Sequence, residues 1–129
     1  MEYVAESPIA LETVIRQINS KGSGSLLYHF AIVKSMADDD ATQSTTAIRF
    51  EKSGDTEAEL SLIAGDIREK WNVDDVLLVR RVGTLNVDDI ISLVAVSASR
   101  SKDAFEACQY GLQRIKKMST IKKQEIFAV

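Results

Sequence analysis

Apolar residues recur at two spacings along the chain, and the spacings divide it into helices and strands. Leu60, Ile63, Ala64, Ile67 and Trp71 fall three and four apart, the repeat that lines one face of a helix. Thr56 with Glu59 three residues later fits a capping box, so a helix is predicted from Thr56 as N-cap to Trp71 as a core anchor. Ala104, Cys108, Gly111, Ile115 and Met118 repeat the pattern over Lys102 to Met118, with Phe105 and Leu112 widening the stripe. Ser7-Pro8 places a capping serine before a proline, and Val14, Ile15 and Ile18 then predict a first helix stopping near Asn19.

Strands are predicted between these helices. Leu26 to Val33 is apolar at nearly every position, which predicts a central strand covered on both faces. Thr45 to Glu51 reads as a second strand. Val76 to Val82 and Ile90 to Ser97 are rich in β-branched residues and form a predicted hairpin, with Gly83 to Asp88 as its loop. Arg80 and Arg81 are adjacent there, so alternation sends one to solvent and the other to the covered side or an interface. Ile121 to Phe127 completes the set as a short edge strand.

The connectors look structural. Ser20 to Ser25 lacks the Gly-Lys-Ser/Thr ending of a phosphate-binding loop. Asp38-Asp39-Asp40 opens a polar loop to about Thr45, without the glycine and distal glutamate of a calcium-binding hand. From Thr45 onward the order is strand, helix, strand, strand, helix, strand. That split β-α-β order predicts an α+β fold in a single domain, 1–129, with both helices on one face of a sheet.

Composition narrows the chemistry. A single cysteine, Cys108, excludes an internal disulfide framework and a multi-cysteine zinc site, and the apolar stripe predicts that it is buried. A single histidine, His29, leaves a catalytic zinc or a histidine triad without partners, and it reads as a semi-buried side chain before a proton-transfer group. The acidic start, Met1 to Glu6, resembles no secretory or transit signal, and the longest largely apolar stretch, Ile90 to Ala98, is too short to span a bilayer. A cytoplasmic location, with no membrane partner, is expected. Net charge is -3, which argues against nucleic-acid binding. From Arg100 onward, however, basic residues outnumber acidic ones seven to three, against nine to sixteen in the remainder. A basic end on an acidic body predicts a small anionic ligand or an acidic partner segment.

The run Arg114 to Lys123 is the concentrated candidate. Lys116 and Lys117 lie at a predicted helix end, where the dipole favours cations, and a solvated helix end is the plain reading. The same residues suit anion chemistry: an ammonium holds phosphate as a point charge, and a partly buried lysine attacks a carbonyl-like carbon. Lys34 leaves the end of its strand where side chains often face a site, and an exposed strand-end lysine is the alternative.

Several ordered blocks carry a family resemblance. Arg80-Arg81-Val82-Gly83-Thr84-Leu85-Asn86-Val87, Val94-Ala95-Val96-Ser97, Ala104 to Tyr110, Arg114-Ile115-Lys116 and Ile121 to Phe127 resemble consecutive segments of the large, catalytic subunit of molybdopterin synthase. The similarity runs from about Glu57 to Phe127, and more loosely back to Leu26. It implies an α/β hammerhead fold and a homodimer that binds a small ubiquitin-like sulfur carrier at each end, giving a heterotetramer. It also implies sulfur transfer from the carrier's C-terminal Gly-Gly thiocarboxylate to cyclic pyranopterin monophosphate, forming molybdopterin without metal or organic cofactor. Lys116 falls on the family's key active-site lysine and Lys123 on its second lysine. Lys34, Arg100 and Lys122 are the implied substrate-binding cations.

The departures cluster at the site. Ala31-Ile32-Val33-Lys34 stands where the family has Gly-Thr-Val-Arg, keeping charge but losing bidentate geometry. Ser97-Ala98-Ser99-Arg100-Ser101 stands for Ser-Ser-Pro-His-Arg, Arg80-Arg81 for His-Arg, and Thr120 and Lys122 for the Pro and Trp of Val-Pro-Ile-Trp-Lys-Lys. A non-catalytic relative that binds a carrier tail or a phosphorylated ligand through the same basic end is therefore the alternative reading.

Overall fold

The structure is a computed structural model that describes residues 1–35 and 45–127. The polar loop expected at 38–44 lies outside the described residues. The elements are β1 (Glu2–Ala5), α1 (Leu11–Val14), β2 (Ser25–Ile32), β3 (Thr45–Lys52), α2 (Thr56–Lys70), β4 (Asp75–Arg81), β5 (Gly83–Asn86), β6 (Ile90–Ala98), α3 (Ser101–Lys116) and β7 (Ile121–Phe127). The mixed α+β class read from the sequence is the one observed, but the strands divide into two sheets. One has the order β1-β4-β6-β2 and the other β5-β3-β7.

The first sheet is covered on both faces. Leu60, Ile63 and Ile67 of α2, with Ala107, Cys108 and Ile115 of α3, pack onto Val76, Leu78, Val94 and Val96. Both long helices thus share one face, as their stripes require. The alternate residues Leu77, Val79, Leu93 and Ala95 point the other way and are covered by Val14 and Ile18. Gly111 permits the close seating of α3, because a Cβ there would lie 2.9 Å from Val94 Cγ1 and 3.2 Å from Ile67 Cδ1. A third cluster, Val33, Ile48, Phe50 and Leu85, fills the junction with the second sheet. Among the described residues, no helix is long and apolar enough to cross a membrane.

Several local expectations are corrected. The first helix is one turn, Leu11–Val14, capped by Ala10 without a side-chain bond, because Thr13, Val14 and Ile15 are a β-branched run that disfavours helix. Glu2–Ala5 is an unforeseen strand, parallel to β4. β2 is an edge strand rather than central; β4 and β6 hold the centre, and β2 has apolar side chains on both faces because the helix layer and the Val14–Ile18 layer both reach it. The expected hairpin loop forms β5, which turns away to pair with β3; Gly83, at φ +103°, makes the turn that a side chain would resist. Phe105 is 62% exposed instead of joining the stripe, since it lies one residue off the buried positions of α3.

The N-cap of α2 is Asp55, whose carboxylate accepts from Ala58 N–H at 3.0 Å, not Thr56. Thr56 and Glu59 have other partners, described with the site. Trp71 closes α2 half-buried, its ring 5.2 Å from Tyr110 and its Nε1–H donating to Glu106 at 3.2 Å. Arg80 and Arg81 are both buried, contrary to the simple alternation, because β5 and β3 cover the end of β4.

Candidate functional site

The last turn of α3 and the start of β7 are joined by a short turn held from α2. Glu59 accepts hydrogen bonds from Ser119 N–H at 2.9 Å, Ser119 Oγ–H at 3.3 Å, Thr120 N–H at 3.0 Å and Thr120 Oγ1–H at 2.6 Å. The Thr120 carbonyl in turn accepts from Thr56 Oγ1–H at 3.2 Å and Ser53 N–H at 2.7 Å. This clasp sets the position of Lys116, the final helical residue, relative to Lys123 on β7.

β7 pairs with β3 so that Lys123 stands opposite Phe50 and Lys122 opposite Glu51. Directly opposed residues share a face, so Lys123 and Phe50 look one way and Lys122 the other. Lys123 reaches a cavity of about 440 Å³ that is also lined by Lys34 and Lys116. Its inner wall is the cross-strand row Arg80, Ser92 and Ala31 on β4, β6 and β2, together with Phe50 and Ile115. The cavity therefore sits where the helix layer stops and the second sheet takes over.

Three of the five site residues expected from the sequence are thus brought together: Lys34, Lys116 and Lys123. All three are exposed at the rim. Lys123 forms an ion pair with Glu125 at 3.2 Å. Lys122 does not line that cavity; it borders a second depression with Arg49 and Glu51, which Lys123 also lines from its rim. Arg100, exposed at the N-cap of the 16-residue α3, is about 24 Å along the helix from Lys116 and does not reach the cavity within one chain.

Arg80 is the residue that sequence reasoning missed. Its guanidinium lies 4.2 Å above the Phe50 ring and donates to the Ile91 carbonyl at 3.2 Å, while its Nε–H has no acceptor. Burial pulls its pKa down to about 10, which still leaves it cationic at neutral pH. The signal was a charged pair inside an otherwise apolar strand. Its neighbour Arg81 donates Nε–H to the Val82 carbonyl at 2.9 Å and Nη2–H to the Thr84 carbonyl at 3.4 Å, with Nη1 buried and unpartnered, but it does not line the cavity.

The minor candidates stay outside. Cys108 is buried with its thiol toward the Val94 carbonyl at 3.8 Å, and burial raises its pKa, as suits a structural cysteine. His29 is half-buried as expected, but its Nδ1 is unpartnered, and it lines an apolar groove with Leu27, Phe105 and Leu112 instead of the cationic cavity.

Four cations around one cavity give a positively charged pocket with amines at its mouth, chemistry that suits an anion. A family model described as MoaE protein matches residues 4–118. The chain belongs to the MoaE protein family. Within this family it is 26% identical over 125 residues to the molybdopterin synthase catalytic subunit of Bacillus subtilis (strain 168), covering 96% of this chain and 78% of that protein. The crystal structure of molybdopterin synthase from Staphylococcus aureus matches at a TM-score of 0.86 and 28% identity, over 97% of this MoaE family chain and 90% of that one. The same fold recurs in a complex of subunits 1 and 2 of molybdopterin-converting factor from Helicobacter pylori 26695, with TM-score 0.73 and 13% identity, over 96% and 83% of the two chains.

Proposed function

We propose that this chain transfers sulfur from the C-terminal thiocarboxylate of a small ubiquitin-like carrier subunit to cyclic pyranopterin monophosphate, forming molybdopterin for molybdenum cofactor biosynthesis. The observation that carries the reading is the convergence of Lys34, Lys116 and Lys123, from three separate elements, on one cavity. Membership of the MoaE protein family and the names of its relatives support it.

The chemistry follows from the placement. A slot of about 170 Å³ with Val33, Ile48 and Ile91 in its walls shares Lys34, Ile91 and Lys123 with the cavity and is also bordered by Glu125, the ion-pair partner of Lys123. Such a slot suits an extended tail ending in small residues. Lys116, at the rim beside the inner-wall residue Ile115, is the group that stabilises negative charge developing on the thiocarboxylate; Lys123 and Lys34 hold the substrate phosphate as point charges. The reading includes a homodimer with a carrier at each end, in the cytoplasm, and assigns Arg100 and Lys122 no direct role in the cavity of a single chain.

The second reading is a relative that binds a carrier tail or phosphorylated ligand without turnover. It is favoured by Ser99-Arg100 standing for the family's His-bearing segment. One assay separates the two. The purified chain is mixed with thiocarboxylated carrier and cyclic pyranopterin monophosphate, with Lys116→Ala as control. Product that depends on Lys116 supports sulfur transfer; carrier binding without product supports the second reading.

A further inference from the structure

We propose that Arg80 is the binding group for an oxyanion at the inner end of the lysine cavity, supplied either by the terminus of an extended tail or by the phosphate of a small substrate. The inference rests on the reading of this cavity as a substrate site, and it adds a residue that no lysine can replace.

Arg80 is only 7% exposed, yet among the described residues no carboxylate forms an ion pair with it. A guanidinium presents five donors in one plane. Here the Ile91 carbonyl takes one of them, Phe50 covers a face, and Nε–H is buried without an acceptor. A buried cation so poorly paired is costly, and the cost falls when a partner arrives. That partner must carry negative charge and offer adjacent oxygens, because the fork matches carboxylate or phosphate in a bidentate way.

The surroundings give the two kinds of cation different work. Lys34, Lys116 and Lys123 are flexible and exposed, so they attract an anion without fixing its orientation. Arg80 is held by the Phe50 ring and the Ile91 carbonyl beside the buried Ser92, so its plane is set before a ligand enters. It therefore determines how the oxyanion lies, and through it how the rest of the ligand is presented to Lys116.

The test uses the intact chain and two probes: inorganic phosphate, and a short synthetic peptide ending in Gly-Gly with a free carboxylate. NMR follows the Arg80 Nε–H resonance as each is added. A saturable shift with phosphate assigns the site to the small substrate, one with the peptide assigns it to the tail, and a shift with both assigns a shared oxyanion position. No shift with either overturns the proposal, and this measurement needs no variant. Arg80→Lys keeps the charge but loses the fork, and is expected to weaken the responding probe at least about tenfold. Unchanged affinity in a folded Arg80→Lys also overturns it. The molybdopterin assay keeps the two readings apart. A chain that responds at Arg80 but makes no product contradicts sulfur transfer alone; a chain that makes product with a silent Arg80 contradicts this inference alone.

Discussion

Glu59 and Thr120 are joined twice, the carboxylate accepting from both the backbone N–H at 3.0 Å and the hydroxyl at 2.6 Å. A side chain from α2 thus fixes the turn between the two lysines of the cavity. Replacing it with alanine leaves two N–H groups and two hydroxyls without their acceptor. Glu59→Ala is expected to lower unfolding free energy by about 1–2 kcal/mol, at the modest end because the site is partly wet. Urea denaturation measures that loss, and the proposed sulfur transfer should fall with it as Lys116 and Lys123 lose their spacing.

The same carboxylate makes stability depend on acid. Burial opposes its ionisation, but the bonds from Thr120 and Ser119 outweigh burial and lower its pKa. Asp75 behaves alike: burial opposes ionisation, and bonds from Asn19 N–H and Val76 N–H, with the amino terminus and Arg68, outweigh it. Folded values below the unfolded ones mean that the stabilisation is complete above the ordinary carboxyl range and lost as pH falls through the folded values. Between about pH 6 and about pH 3 the gap in urea midpoint between the natural chain and Glu59→Gln should therefore close. A gap that widens toward acid would contradict the assignment.

The lysines should not be equivalent. Lys116→Ala, at an exposed position, is expected to leave the melting temperature within a degree or so while reducing molybdopterin formation by about a hundredfold or more. Lys123→Ala should impair phosphate binding, whereas Lys122→Ala, projecting from the opposite face of β7, should change it less than about twofold. Equal effects of the two would mean that strand alternation does not separate them.

Gly111→Ala tests the seat of α3. Alanine gains about 1 kcal/mol of helix propensity over glycine. Against this, its methyl would meet Val94 Cγ1 at 2.9 Å and Ile67 Cδ1 at 3.2 Å, and overpacking of this kind costs about 1–3 kcal/mol. A net loss of about 1 kcal/mol is expected, read as a lower urea midpoint. A stabilised variant would show that the helix shifts freely on the sheet.

The long elements were legible because their patterns are long. α2 and α3 run 15 and 16 residues, enough turns for a stripe to declare itself, and their apolar faces are where the sequence puts them. β1 and β5 have four residues each, too few for alternation to register, and β5 hides in what reads as a hairpin loop. Whether β2 lies at the centre or the edge depends on pairing, which no single segment encodes. That Lys116 and Lys123 border one cavity was foreshadowed by a family pattern. Arg80 was not, since its burial depends on β3 closing over the end of β4 from a distant part of the chain.

The path of β5 has a consequence for how the molecule opens. The covalent run between the two central strands of the first sheet passes through the second sheet. Peeling β5 from β3 therefore pulls on the ends of β4 and β6, the most deeply buried strands of the protein. Among the described residues, the walls of the cationic cavity are thus tied to each other by the chain itself through β5. Amide exchange in β5 and in the Arg80 end of β4 should share one opening event with the central strands, and the site should persist until the whole unit yields.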